Sequence, residues 1–101
     1  MLFSIIGTDQ EVGASLRVSN AEAHQTHMAL IREQIAFAGP LHNDNGSRVI
    51  GSLIVADFPD RQSAENWLAH EPFYKAGVYA SIEIRRFVNK WPQRSGHVPA
   101  A

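Results

Sequence analysis

The chain has 101 residues, 45% hydrophobic and 19% charged, with a formal charge of −1, a pI near 6.5 and no cysteine. That is the size of one compact domain, with no global attraction for nucleic acid or anionic lipid and no route to disulfide or thiol chemistry. No apolar run reaches the roughly 18 residues of a membrane span, and the first residues lack the basic stretch of a signal peptide, so the expectation is a soluble cytoplasmic protein.

Residues 2–8 (Leu-Phe-Ser-Ile-Ile-Gly-Thr) are short, apolar and rich in strand formers, and they end in a turn-prone Gly7-Thr8-Asp9. Residues 9–19 are polar and read as a loop leading to a cap at Ser19 or Asn20. A helix then runs from Ala21 to about Ala36, with His24, His27, Met28, Ile31 and Ile35 on one face. Ala38-Gly39-Pro40-Leu41 leaves it for a short second strand. Asn43-Asp44-Asn45-Gly46-Ser47 is a hairpin turn, because Asn-Gly tolerates the positive φ that tight turns require.

The third strand spans 48–58 and is apolar on both faces, with Ile50, Ser52, Ile54, Ala56 and Phe58 opposite Gly51, Leu53, Val55 and Asp57. Asp60 caps a second helix whose inner face carries Ala64, Trp67, Leu68 and finally Glu71, and Pro72 stops it. A turn through Gly77 leads to a last strand near 81–88. Residues 1–91 form the domain, and 92–101 read as a loose tail.

The order β-α-β-β-α-β is the ferredoxin-like, split βαβ plan: an α+β fold with a four-stranded antiparallel sheet and two helices on one face. The uncovered face would still be apolar. Pairing two sheets face to face removes that exposure, so a homodimer is expected.

Among five histidines, His97 falls in the tail, His42 beside the hairpin and His70 at a helix end, where each reads as a surface residue. His24 opens the inner face of the first helix and Glu71 closes that of the second. In this fold both can project into one cleft. A buried carboxylate needs a partner, and an imidazole is a natural one. Glu71 would fix the tautomer of His24 and strengthen it as a general base. A polar clip between helices with no substrate is the competing reading. A metal set of His24, His27 and Glu71 is possible by spacing alone, but no fourth-ligand pattern supports it, and no metal or cofactor is expected. Trp67, Phe73, Tyr74 and Tyr79 read first as packing, and some of them, with Tyr74 assigned to substrate binding, could wall a pocket for a flat aromatic or quinone-like ring.

Four stretches together resemble the YciI-like (YCII-related) family: 17–24 (Arg-Val-Ser-Asn-Ala-Glu-Ala-His), 38–40 (Ala-Gly-Pro), 51–58 (Gly-Ser-Leu-Ile-Val-Ala-Asp-Phe) and 71–79 (Glu-Pro-Phe-Tyr-Lys-Ala-Gly-Val-Tyr). The resemblance implies a dimeric α-β barrel of ferredoxin-like subunits. It also implies an active-site His–Asp pair, which falls on His24 and Glu71, with Glu in place of the usual Asp. Arg17 and Ser52 lie on family motif positions and would bind a substrate anion or hydroxyl. One relative removes chloride from a hydroxylated ring, and muconolactone isomerases share the barrel. The implied activity is therefore a cofactor-free lyase or isomerase acting on a small aromatic or enol-like acid. A non-catalytic small-molecule binding or regulatory domain is one alternative. A quinol monooxygenase of the wider barrel group, with Trp67 near the ring, is another.

Overall fold

The computed structural model describes residues 1–93; the expected tail beyond them, with His97, lies outside the described residues. Four strands, β1 (Leu2–Asp9), β2 (Ile35–His42), β3 (Val49–Asp57) and β4 (Tyr79–Phe87), form one antiparallel sheet in the order β2-β3-β1-β4. Three helices, α1 (Gly13–Ala29), α2 (Arg61–Ala69) and α3 (Pro72–Ala76), complete the fold, and a single 3-10 turn (Arg32–Gln34) leads into β2. This is the ferredoxin-like βαββαβ arrangement expected from the element order.

Alternation along the strands places Phe3 and Ile5 of β1, Ile54 and Ala56 of β3 and Ile84 of β4 in register on one face. Against them pack Ile31, Ala64, Trp67 and Leu68, all buried. Each large side chain removed from water this way contributes about 2 kcal/mol, so this face carries most of the driving force for folding.

The opposite face holds Leu2, Ile6, Leu53, Val55 and Leu41, and helices do not cover it. Even so, Val55 is only 2% exposed. Phe37 of edge strand β2 and Phe87 of edge strand β4 meet edge to face, with ring centroids 6.4 Å apart. They close over the two central strands from opposite sides.

The first helix departs from expectation. It begins at Gly13, not Ala21, and ends at Ala29, so the polar stretch read as a loop is its first two turns. Polar residues there bond back to the helix instead of breaking it: Ser15 Oγ donates to the Val12 carbonyl, Ser19 Oγ to Ser15, and Asn20 Nδ2 to Leu16. Ile31 and Ile35 extend the apolar stripe beyond the helix, because Ile31 inserts into the core and Ile35 starts β2. Pro40 sits within β2, an edge strand where a missing N–H breaks no ladder.

Asp60 caps α2 as expected, accepting from the Ser63 amide at 2.8 Å. That bond holds its carboxyl below the usual range. However, α2 ends at Ala69, and Glu71 begins a new helix instead of ending the old one. Glu71 Oε2 accepts from the Tyr74 amide at 3.1 Å, Pro72 takes the first helical position, and Gly77 closes α3 in the left-handed region at φ 84°. Pro72 therefore starts a helix, a role for which its fixed φ is suited.

Candidate functional site

With α1 beginning at Gly13, Arg17, Ala21, His24 and Met28 fall on one helical face. That face borders a groove of about 680 Å³, walled on the other side by Ala38, Gly39 and Pro40 of β2 and Ser52 and Ile54 of β3. Helix α3 closes one end with Phe73, and Arg32 lies at the other.

His24 and Glu71 touch. Nδ1–H of His24 donates to Oε1 of Glu71 at 2.5 Å, a short charge-assisted contact. Glu71 is 1% exposed, and the Tyr74 amide occupies its other oxygen. One side chain therefore caps α3 and reaches α1 together. The His24 ring lies flat on Phe73, with centroids 3.9 Å apart and planes within 4°. Stacking and the carboxylate fix ring plane and tautomer, leaving Nε2 as the nitrogen available to the groove.

Beside this pair is a second polar cluster. Arg17 binds Asp9 bidentately, Nε to Oδ2 at 2.8 Å and Nη2 to Oδ1 at 2.9 Å, and Nη2 also donates to Ser52 Oγ at 2.9 Å. Its hydrogen bond to Asp9 holds the Arg17 guanidinium firmly protonated, against the opposing effect of burial. The Tyr79 hydroxyl donates to the same Ser52 Oγ at 2.9 Å. Burial pushes the Tyr79 phenol above its ordinary value, so it stays neutral through the physiological range. The Arg17 guanidinium lies 5.1 Å from the centre of Phe73, so one ring supports both clusters.

The remaining sequence candidates separate. Ser52 is 7% exposed and lines the groove with Arg17. Tyr74 does not: its ring is 44% exposed on the far side, over a hollow with Arg61, Glu65 and Ile84, and only its backbone serves the site. On the short helix α3, Phe73 turns in and the next residue, Tyr74, turns outward. His27 bonds the Trp67 carbonyl through Nε2 at 2.9 Å and stacks on the Trp67 ring, so His24, His27 and Glu71 are not gathered as one ligand set. Trp67 is buried in the core and does not line the groove. His70 and His42 bond the Asn66 and Gly46 carbonyls locally.

Asp9 is not a site candidate from the sequence alone, whereas Phe73 and Tyr79 read there as packing aromatics able to wall a pocket. With residues 9–19 read as a loop, Asp9 has no fixed partner; once Arg17 is helical, a carboxylate eight residues earlier can reach it from the end of β1.

The family model of the YCII-related domain matches residues 1–88. The chain belongs to the YCII-related family. Among its relatives, protein YciI of Escherichia coli O6:H1 is 29% identical over 94 residues, covering 86% of this chain and 96% of that one. An uncharacterized protein of Haemophilus influenzae is 28% identical with the same coverage. A solved structure of 5-chloro-2-hydroxyhydroquinone dehydrochlorinase from Burkholderia phenoliruptrix AC1100, in complex with 2,5-dihydroxybenzoquinone, superposes with a TM-score of 0.79 at 23% identity, over 87% of this chain and 94% of that one. This YCII-related chain shares its fold.

Proposed function

We propose that this protein is a cofactor-free enzyme of lyase or isomerase type, in which His24 Nε2 moves a proton on a small planar hydroxylated or enolic substrate and Glu71 holds the imidazole. The observation that carries this reading is the 2.5 Å His24–Glu71 contact beside an open groove. A buried carboxylate that also caps a helix keeps the ring from turning, so little reorganisation is needed when the proton moves. A substrate hydroxyl gives its proton to Nε2 and its O–H electron pair becomes part of a carbonyl. The displaced ring electrons take a proton at a ring carbon, an isomerisation; where that carbon bears a leaving group, a second hydroxyl can then lose its proton, its electron pair forming a second carbonyl as the leaving group departs with its bonding pair, an elimination. The second outcome is what the name of the structurally similar dehydrochlorinase describes. The apolar walls from Ala21, Met28, Ile54 and Phe73 suit a flat ring.

The working unit is proposed to be a homodimer joined through the helix-free sheet face, where Leu2, Ile6, Leu53 and Leu41 otherwise meet water. Light scattering should give twice the chain mass. A monomer at micromolar concentration would remove the dimer and leave the groove chemistry untouched.

The test is chloride release from 5-chloro-2-hydroxyhydroquinone, with solvent deuterium uptake into the ring of unchlorinated hydroxyhydroquinone as a second readout. Wild-type protein should catalyse at least one, and His24→Asn should lose about 10²–10⁴-fold, the usual weight of a positioned acid–base group. Equal rates in both proteins, or no catalysis by either, overturn the reading.

A further inference from the structure

The second polar cluster poses a hydrogen-counting problem with one solution. Ser52 Oγ has two lone pairs and one hydrogen. Arg17 can only donate, so Nη2 occupies one lone pair at 2.9 Å. Tyr79 OH occupies the other, also at 2.9 Å. Reversing that bond would leave the largely buried phenol hydrogen without a partner, because Ser52 is the one hydrogen-bond partner of Tyr79 OH among the described residues, and Ser52 lines the groove. With both lone pairs filled, the Ser52 hydrogen points away from Arg17 and Tyr79, and the groove is the side left for it. Arg17, whose Nη1 hydrogens are unused by Asp9 or Ser52, lines the same groove.

We infer that Tyr79 is a positioning residue that, together with Arg17, turns the Ser52 hydroxyl into an obligate donor, so that Ser52 and Arg17 form a receptor for a phenolate- or enolate-type oxyanion of the groove's ligand. This deepens the proposed function and rests on it for the source of the anion, since proton removal by His24 creates the negative oxygen the receptor would hold. Arg17 and His24 are seven residues apart on one helix, about 10 Å along its axis, and both border the same groove.

The surroundings agree. Asp9 balances the Arg17 charge, so the wall presents oriented donors without a net positive charge. It therefore favours an oxyanion by directed hydrogen bonds more than by bulk attraction. Gly7 makes the arrangement possible: a Cβ there would stand 2.6 Å from the Tyr79 ring, which lies across the strand on its way to Ser52. Gly13 likewise leaves room for the Asp9 carboxylate, 2.9 Å from where its Cβ would be.

Binding of 4-nitrophenol, followed by its absorbance, tests this without turnover, and 4-nitroanisole serves as the probe with no ionisable oxygen. Wild-type protein should bind 4-nitrophenolate in preference to the neutral phenol, lowering the probe's apparent pKa. Tyr79→Phe and Ser52→Ala should each weaken phenolate binding about tenfold and leave 4-nitroanisole affinity unchanged. The double variant should lose no more than either single one, because Tyr79 acts only through Ser52. Additive losses, an unchanged phenolate affinity in Tyr79→Phe, equal losses for the anisole, or a wild-type groove that does not prefer the phenolate overturn the inference. His24→Asn should retain the phenolate preference. An intact receptor in a protein with no turnover would therefore sink the catalytic reading alone, and normal turnover without a phenolate preference would sink only the receptor.

Discussion

Two imidazoles one turn apart on α1 make nearly the same contacts and face different chemistry. His24 stacks on Phe73 at 3.9 Å and His27 on Trp67 at 4.9 Å, and each ring is held by one further bond through a nitrogen. The aromatic partners also come from helices that start alike, α3 capped by the Glu71 carboxylate and α2 by that of Asp60. The differences are three. His24 bonds a carboxylate where His27 bonds a backbone carbonyl; the Glu71 cap is buried where the Asp60 cap is exposed; and His24 borders the groove while His27 does not. A held histidine is therefore common structural material, and its neighbours make it a candidate catalyst.

The largest effect on this contrast should come from Glu71→Ala. It removes the α3 cap and the His24 partner together, at a cost of about 2–3 kcal/mol of stability, read as a lower denaturant midpoint. Asp60→Ala should be milder by the same measure. If the two were equal, the buried cap would have no special standing. Next, His27→Asn should lose about 1 kcal/mol through its Trp67 contacts and keep phenolate binding and turnover. Loss of turnover there would bring His27 into the site.

The smallest effect concerns acid. The Asp60 carboxyl sits below its unfolded value because the folded state bonds the ionised form. Its stabilising contribution is therefore complete above the unfolded value and disappears as pH falls through the lower folded one. The protection factor of the Ser63 amide against exchange should fall over that window, and Asp60→Asn, which can still cap, should show no such step. A step of equal size in the variant would assign it to another group.

Much of this was legible in the sequence. The sheet topology followed from element order; the His24–Glu71 contact was also legible, although Glu71 makes it from the start of α3 and not from the inner face of α2. The start of α1 was not legible, because residues 13–20 are rich in Ser, Asn and Gly, and nothing local shows that their hydroxyls and amide bond helix carbonyls. That single misplacement hid the Asp9–Arg17 pair. Phe73 and Tyr74 are adjacent aromatics after Pro72, and which of them points inward depends on the short helix α3, where the sequence suggests only a turn.

The contact between Phe37 and Phe87 matters at an early moment in the protein's life. A newly made chain already screens its central valine with rings reaching over from both borders of the sheet. Such a solitary copy is less prone to indiscriminate sticking than its bare surface pattern suggests.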